Sequence, residues 1–492
     1  MAALTQSGSP KQDWCFENTY LQLPAMFYTC LPAVPVREPK LLVFNQALAE
    51  TLGLSDIASQ PETLHYLAGN AAPASAQTFA QAYAGHQFGG FSILGDGRAL
   101  MLGEHVTPAG QRVDIQLKGS GPTPYSRRGD GRAALGPMLR EYLISEAMHH
   151  LGIPTTRGLA VVATGEPVFR QTALPGAVLT RVAASHLRVG TFQYAAVRGE
   201  VGDLRALVDY AIARHYPDLA QQPNPALALL RKVIDVQADL IVHWMRVGFV
   251  HGVMNTDNMT ICGETIDYGP CAFMDHYDRA TVFSSIDEQG RYAFGNQPGI
   301  AQWNLLRLAE ALLPLLDENE QQAIEIAKDV VGSYAPMYTS RFETMMLNKI
   351  GLQAKHDEQD EQLIMDLLQW MGEHQLDYTN TFRDLGLARL PDEPQYRTEA
   401  FLAWTKRWHA RLEQQDLSKA QSQALMDQTN PVYIPRNHLV QSALDQAEQT
   451  GELAQFDALL EVLRRPYQFT AESQKYAQPA PLQSSYTTFC GT

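Results

Sequence analysis

Two oxygen-bearing side chains in the segment 251–269 could hold a metal ion. Asn258 offers an amide oxygen and Asp267 offers a carboxylate. Hard cations such as Mg²⁺ bind oxygens of this kind together with phosphate groups. The runs 259–262 and 265–266 predict a β-hairpin around Gly263, which would bring both side chains to one end of it. The alternative is an ordinary acidic loop that binds no metal.

The same segment follows the spacing of the protein-kinase catalytic loop, His-Arg-Asp-x-x-x-x-Asn, and of the Asp-Phe-Gly turn. Counting back from Asn258 puts His251 at the first position and Val253 where the catalytic aspartate should stand. Valine cannot accept a proton, so ordinary phosphoryl transfer to an alcohol is disfavoured. Asp257 is the nearest replacement carboxylate, and its alternative role is to cap the loop. His251 is expected to pack the loop.

Lys118 and Glu141 form a candidate pair for positioning phosphate. Lys118 ends the run 113–118, which predicts a strand, and Glu141 lies in a helix predicted over 138–148. In kinases, a pair in this arrangement aims an ammonium at phosphate oxygens while the carboxylate holds it in place. A Lys and a Glu alone carry no such meaning, so the interpretation depends on the metal-binding segment downstream.

Two glycine loops and two arginines complete the candidate phosphate contacts. Glycines let backbone N–H groups approach phosphate closely, although neither loop is a P-loop and both could be plain turns. Arg181 and Arg188 would share one face if the stretch between them were helical, and could then clamp phosphate. Otherwise they are two surface arginines. The loop residues of interest are Gly95, Gly97, Arg98, Asp130 and Gly131.

The elements that must position these residues change in kind along the chain. Strand patterns dominate before residue 200, and helical patterns such as 226–247 and 361–370 dominate after it. This order indicates an α+β fold with two lobes around a nucleotide cleft. The expected divisions are an N-terminal extension at 1–82, a strand-rich lobe with glycine loops at 83–199, a helical lobe with the catalytic loop at 200–340, and a helical C-terminal extension with a cysteine-bearing tail at 341–492.

Composition excludes several classes of protein. Of 492 residues, 45% are hydrophobic and 18% charged, which is typical of a globular chain. The net charge of −15 argues against nucleic acid as a main partner. No signal-peptide pattern and no membrane-spanning apolar run occur, and five scattered cysteines form neither a disulfide framework nor a zinc motif. We expect a soluble, cytoplasmic monomer without membrane partners.

Five long motifs can be compared with known families: Tyr83-Ala-Gly-His-Gln-Phe-Gly-Gly-Phe, Gln116-Leu-Lys-Gly-Ser-Gly-x-Thr-Pro-Tyr-Ser-Arg, Gly129-Asp-Gly-Arg-Ala, Thr180-Arg-Val-Ala-x-Ser-His-Leu-Arg-Val-Gly and Asn255-Thr-Asp-Asn-Met. They resemble the selenoprotein O (SelO/YdiU) family along nearly the whole chain. The resemblance implies a protein-kinase-like bilobal fold that lacks the usual catalytic aspartate. It also implies that ATP binds in reversed orientation, and that AMP passes to Ser, Thr or Tyr hydroxyls of proteins with release of pyrophosphate.

The resemblance also implies roles for individual residues. Asp257 would accept the proton, Asn258 and Asp267 would bind Mg²⁺ or Mn²⁺, and Glu141 would position Lys118. The implied ATP contacts are Gly95, Gly97, Arg98, Lys118, Asp130, Gly131, Arg181, Arg188 and Asp267.

The family resemblance further implies a regulatory disulfide between Cys271 and Cys490, which would tether the tail across the active site; the alternative is two free thiols. Protein targets could then be redox-related. Two other functions stay open, namely a kinase in which Asp257 replaces the missing base and a nucleotide-binding pseudokinase that only docks a partner. UTP with Mn²⁺ is a possible alternative donor.

Overall fold

The structure is a computed structural model that describes residues 13–387, 390–481 and 486–489. It mixes helices with a large antiparallel sheet, which confirms the predicted mixture of the two. Backbone contacts divide the chain into two compact units. The first comprises Met1–Ala82, Leu94–Tyr142 and Thr156–His186, and the second comprises Tyr83–Ile93, Leu143–Thr155 and Leu187–Thr492. The division into four segments and the two-lobed arrangement stay predictions.

The strands of the described residues belong to a ten-stranded sheet, ordered β2-β4-β6-β7-β10-β9-β3 with β1 on β6, β5 on β4 and β8 on β10, and to a two-stranded pair, β11 and β12. They are β1 (Phe16–Glu17), β2 (Tyr28–Cys30), β3 (Lys40–Phe44), β4 (Phe79–Gln87), β5 (Gly90–Gly95), β6 (Ala99–Val106), β7 (Arg112–Lys118), β8 (Ala133–Ala134), β9 (Arg157–Phe169), β10 (Ala173–Ala183), β11 (Phe249–Val250) and β12 (Ala272–Phe273).

In the first unit, β7 and β10 carry polar side chains on one face and apolar side chains on the other. Register places Arg181 opposite Gln116 and Val182 opposite Ile115. Because side chains alternate along a strand, Gln116, Lys118 and Arg181 share one face. The other face carries Ile115 and Val182, which are buried in an apolar core with residues of the first two helices and of β9. The apolar face therefore anchors the two strands, while the polar face gathers charged groups.

The helices of the described residues are α1 (Gln46–Leu52), α2 (Pro61–Ala68), α3 (Leu135–His150), α4 (Val189–Arg198), α5 (Val201–His215), α6 (Pro225–Val247), α7 (Gln297–Leu316), α8 (Glu320–Gly332), α9 (Tyr334–Lys349), α10 (Glu358–Glu373), α11 (Tyr378–Leu385), α12 (Glu399–Glu413), α13 (Lys419–Thr429), α14 (Asn437–Thr450) and α15 (Ala454–Leu463). None of these described helices is long and apolar enough to cross a bilayer.

Helix α6 lies at the centre of the second unit, where it packs against α7 and α9. Its start is capped by Asn224, whose side chain accepts a hydrogen bond from the Leu227 N–H, and its end is closed by Gly248 in the left-handed region. Leu230 and Ile241 are buried at the helical spacing that predicted this element. The predictions of α6 and α10 are confirmed to within a few residues.

The predicted hairpin at 259–266 is wrong. Thr260 pairs in an antiparallel bridge with Arg188, and Thr265 pairs in a parallel bridge with Thr155. The local segment is instead closed by the Thr260 hydroxyl, which donates to the Glu264 carbonyl at 2.7 Å. Short apolar runs form strands only where neighbours pair with them, and here the neighbours are distant in sequence.

Candidate active site

A buried cluster of charges in the first unit centres on the carboxylate of Glu141. The Lys118 ammonium donates to Glu141 Oε2 at 2.5 Å. The Arg181 guanidinium donates to Oε1 from Nε at 2.8 Å and from Nη2 at 2.5 Å. All three side chains are at most 8% exposed. The predicted Lys118–Glu141 ion pair is therefore present, and Arg181 joins it through the same carboxylate.

Elements of different kinds bring these groups together. Lys118 ends β7, Arg181 lies on the neighbouring β10, and Glu141 lies on α3. Gln116 lies two residues before Lys118, on the same face of β7, and accepts a hydrogen bond from Arg181 Nη1 at 3.2 Å. Two cations share one carboxylate in this cluster, so it favours an anionic ligand such as phosphate. The pattern of alternation could have identified Gln116 from sequence, because it places that residue on the face of Lys118.

The glycine-loop residues Gly95, Gly97, Arg98, Asp130 and Gly131 lie in the first unit, where the two loops contact one another. A Cβ atom at position 97 would lie 2.9 Å from the Tyr125 carbonyl oxygen, so the backbone at Gly97 closely approaches the backbone at Tyr125. The Ser126 hydroxyl donates to the Gly97 carbonyl. Asp130 forms an ion pair with Arg170 at 2.9 Å, and that hydrogen bond lowers the pKa of Asp130. The loops are thus held by each other, while Asp130 is engaged at the surface.

Arg188 organises the candidate residues of the second unit. Its Nη1 donates to Asp267 Oδ2 and to the backbone oxygen of Asp257, each at 2.8 Å. Its guanidinium also lies over the Tyr83 ring, 4.6 Å from the centroid. The stretch between Arg181 and Arg188 is not the helix considered from the sequence, because β10 ends at Ala183 and Arg188 is the N-cap residue of α4. Arg188 instead precedes the first residue of α4, and its side chain contacts Asp267 and the backbone of Asp257.

Asp257 has the environment of a proton acceptor. It lies in the turn Thr256–Asn258 and is almost completely buried, and burial raises its pKa to about 6. Its Oδ1 has no hydrogen-bond partner among the described residues. A Cβ at Gly85 would overlap this carboxylate, so the absence of a side chain at position 85 makes room for it. A raised pKa and an unsatisfied buried oxygen are features of general bases.

The chemistry of Asn258 and Asp267 fits a hard cation. Asn258 Nδ2 donates to the Val253 carbonyl at 3.0 Å, which directs its amide oxygen away from that bond. Asp267 has a φ of 63°, uncommon outside glycine and asparagine, and its carboxylate is partly exposed. The described residues contain no cluster of three His, Cys, Asp or Glu suited to a metal. Two oxygen ligands with phosphate and water are what Mg²⁺ uses at nucleotide sites.

His251 fills the role expected of it. It is completely buried, and its Nε2 lies 2.9 Å from the Ile266 carbonyl, so it joins the loop of Asn258 to the segment that carries Asp267. Burial lowers the pKa of His251, which keeps the ring neutral. The histidine therefore holds the loop.

Comparison with known proteins identifies the family. The model of the family described as Protein adenylyltransferase SelO matches residues 10–464. The chain belongs to the SelO family. It is 56% identical over 481 residues to the protein nucleotidyltransferase YdiU of Bacillus cereus (strain ATCC 10987 / NRS 248), covering 97% of this chain and 98% of that protein. It is 55% identical over 481 residues to the protein nucleotidyltransferase YdiU of Bacillus thuringiensis (strain Al Hakam), which again covers 97% of this chain and 98% of that protein. Membership of the SelO family makes the chain an enzyme of the nucleotidyltransferase class.

The cysteines that the SelO resemblance pairs can be followed only in part. Cys271 is buried beside the Asp267 segment, whereas Cys490 lies outside the described residues. The described end of the tail is anchored nearby, since the Thr488 hydroxyl donates to the Pro270 carbonyl at 2.7 Å. Thr488 also exchanges backbone hydrogen bonds with Phe283 and Ser285. The disulfide stays a prediction.

Proposed function

We propose that this SelO-family chain transfers AMP from ATP to Ser, Thr or Tyr hydroxyls of proteins. In this proposal the fold is kinase-like and two-lobed, and ATP binds with its α-phosphate directed to the acceptor. The observation that carries the proposal is Asp257, a buried carboxylate with a raised pKa, in a loop where Val253 replaces the kinase base. The family description, Protein adenylyltransferase SelO, supports the same reaction class.

The proposed transfer forms one phosphorus–oxygen bond and breaks another. The acceptor hydroxyl oxygen attacks the α-phosphorus of ATP and forms the new P–O bond, while its proton passes to a carboxylate oxygen of Asp257. The bond between the α-phosphorus and the oxygen that bridges to the β-phosphorus breaks, and pyrophosphate leaves. Because burial raises the pKa of Asp257 to about 6, the carboxylate is ionised at neutral pH and still basic enough to take the proton.

Cationic side chains are proposed to hold the leaving pyrophosphate. Lys118 and Arg181 are fixed by Glu141 in the first unit, and Arg188 is fixed by Asp267 in the second. Fixed cations stabilise negative charge as it develops, without having to reorganise during the reaction. As the SelO resemblance implies, we propose each of these side chains as a contact of the ATP phosphates.

The remaining nucleotide contacts follow the family resemblance. We propose that the two glycine loops contact ATP through backbone and side chains of Gly95, Gly97, Arg98, Asp130 and Gly131; their mutual packing supports this by fixing the loop backbones. Asn258 and Asp267 would hold Mg²⁺ or Mn²⁺, which when bound neutralises phosphate charge.

Redox control of the same site is part of the proposal. The hydrogen bond of Thr488 to Pro270 supports it, since these residues lie close in sequence to Cys490 and Cys271. A small-molecule disulfide such as oxidised glutathione would take up two electrons and two protons from the two thiols as their S–S bond forms, which would lock the tail, and a thiol reductant would reverse this step and release it. Cys490→Ser is expected to keep full activity under oxidising conditions that lower the activity of the native protein. Equal activities of the two proteins after oxidation would contradict the tether.

The decisive experiment uses ATP labelled at the α-phosphate or, separately, at the γ-phosphate, with Mg²⁺ and reduced protein. Retention of only the α label on protein, with an AMP-sized mass increase, would support the proposal. Retention of the γ label would identify a kinase. Binding of ATP without transfer of either label would indicate a pseudokinase scaffold, and parallel reactions with UTP and Mn²⁺ test the alternative donor. The protein targets, the cytoplasmic location and the monomeric state stay predictions.

A further inference from the structure

The turn between β4 and β5 lies directly against the loop that carries Asp257. The His86 N–H donates to the Thr256 hydroxyl at 2.7 Å, and the Phe88 N–H donates to Asn255 Oδ1 at 3.1 Å. Asn255 and Thr256 immediately precede Asp257 in sequence. The backbone of this turn is therefore held against the loop that carries Asp257, the proposed base.

Phe88 is held in an unfavourable conformation at the tip of this turn. Its φ is 50°, a left-handed value that is uncommon for an aromatic residue. The side chain is nevertheless 38% exposed, and Phe91 on the following strand is 41% exposed. Strained backbone and exposed rings concentrate at binding sites, where the surrounding structure maintains them for a ligand.

Two arginines extend the aromatic surface and give it positive charge. Arg291 and Arg307 each lie over the Trp303 ring, 4.9 Å from its centroid. The His86 ring joins the two parts, at 5.2 Å from Trp303 and 5.1 Å from Phe91. Arg307 is paired with Glu310 at 2.7 Å, whereas Arg291 forms no side-chain ion pair with the described residues.

We propose that Phe88, Phe91, Trp303, Arg291 and Arg307 form an acceptor surface, which binds an extended protein segment whose hydroxyl residue is flanked by acidic residues. The aromatic rings supply contact area, and the arginines complement carboxylates. Attraction at this surface matters because the chain carries a net charge of −15, which repels acidic proteins elsewhere. The inference rests on the proposed function, since it places the acceptor next to Asp257.

A series of synthetic peptides tests the acceptor surface. Each peptide contains one Thr flanked on both sides by Glu, Gln or Lys, and kcat/KM for transfer of the α label from ATP is measured. The native protein should favour the Glu peptide over the Gln peptide by about tenfold, and more strongly over the Lys peptide. Arg291→Gln should reduce the preference for Glu over Gln to about threefold or less, and added salt should weaken it further.

Matched variants separate charge from contact area. Arg407→Gln removes another arginine, one paired with Asp366 on the surface, and should leave the preference unchanged. Phe91→Ala should raise KM for all three peptides by similar factors. Its control is Phe169→Ala, which removes an aromatic side chain that is 71% exposed on β9. The dissociation constant for ATP, measured by calorimetry, should be unchanged in every variant and shows that each variant is folded.

Three results would overturn the inference. Equal transfer to the three peptides by the native protein would exclude an acidic preference. Weaker ATP binding by Arg291→Gln or Phe91→Ala, with peptide preference intact, would assign the surface to the adenine of the nucleotide. Absence of α-label transfer to any peptide or to the protein itself would reject the proposed function as well, whereas transfer without acidic preference rejects the acceptor surface alone.

Discussion

Replacing Glu141 with Gln should destabilise the protein severely, because one buried carboxylate neutralises two buried cations. Glu141 accepts hydrogen bonds from Lys118 and from two nitrogens of Arg181, and the side chains are 3%, 8% and 2% exposed. Removing one partner of a buried ion pair costs about 3–5 kcal/mol, since the remaining charge loses an interaction that offset its desolvation. We expect Glu141→Gln to lower the free energy of unfolding by that amount.

The measurement is urea unfolding, followed by circular dichroism and by tryptophan fluorescence. The control is Glu17→Gln in the same unit, where the ion pair with Arg112 is exposed on both sides. Exposed pairs contribute about 0–1 kcal/mol, so this control should unfold nearly as the native protein does. Adding Lys118→Met to Glu141→Gln removes one of the two buried cations and should recover about 1–3 kcal/mol.

The outcome distinguishes a neutralising carboxylate from a merely nearby one. A loss of less than about 1 kcal/mol for Glu141→Gln, comparable to that for Glu17→Gln, would refute the argument that the two cations depend on this charge. Failure of Lys118→Met to recover any stability would show that the loss arises from packing and not from charge. ATP should stabilise the Glu141→Gln variant if its phosphates replace the lost negative charge.

Three further predictions concern single carboxylates. Asp257→Asn should lower kcat for AMP transfer by about 10²–10⁴ and leave ATP affinity unchanged, as label transfer and calorimetry would show; a smaller loss would assign the proton to another acceptor. Asp267→Asn, which tolerates the left-handed backbone, should abolish the Mg²⁺ dependence of ATP binding in calorimetry, and a normal Mg²⁺ dependence would reject the metal site. Burial raises the pKa of Asp384 from 3.8 to about 6, so the folded state holds the carboxyl proton more tightly than the unfolded state does. The stability that this proton contributes is present at pH below 3.8 and is lost as the pH rises through about 6. Asp384→Asn should therefore be about 1–3 kcal/mol more stable than the native protein at pH 7 but not at pH 4, measured by thermal unfolding beside the surface control Asp366→Asn.

The local sequence pattern predicted the strand and the helix that carry Lys118 and Glu141 in the first unit. The alternation of 113–118 gave the strand that ends at Lys118, and the helix over 138–148 lies within α3. Spacing from a kinase pattern paired Lys118 with Glu141, and the structure confirms that contact at 2.5 Å. These predictions succeed because strand and helix periodicity reflect burial of one face, which is visible in sequence.

Contacts between distant segments could not be predicted in this way. Nothing in the sequence joins Arg181 to Glu141, because that contact depends on the pairing of β7 with β10. Thr260 likewise pairs with Arg188 and not within a hairpin. The environment of Asp257 depends on the approach of Gly85, which only tertiary structure reveals. Propensity describes a segment alone, whereas these contacts are decided by which segments meet.

The close fit of Gly85 against Asp257 has an evolutionary consequence. Alanine, one base change from glycine in the genetic code, would already force the carboxylate to move, because a Cβ at position 85 overlaps it. Most inactivating substitutions in a protein also reduce its abundance, since they disturb packing and expose the chain to degradation. At position 85 the displaced group is the side chain of Asp257, so, if Asp257 is the base as proposed, a lineage could lose catalysis through this one substitution. Inactive members of such a lineage would be recognised by residue 85 even where every charged residue of the site is unchanged.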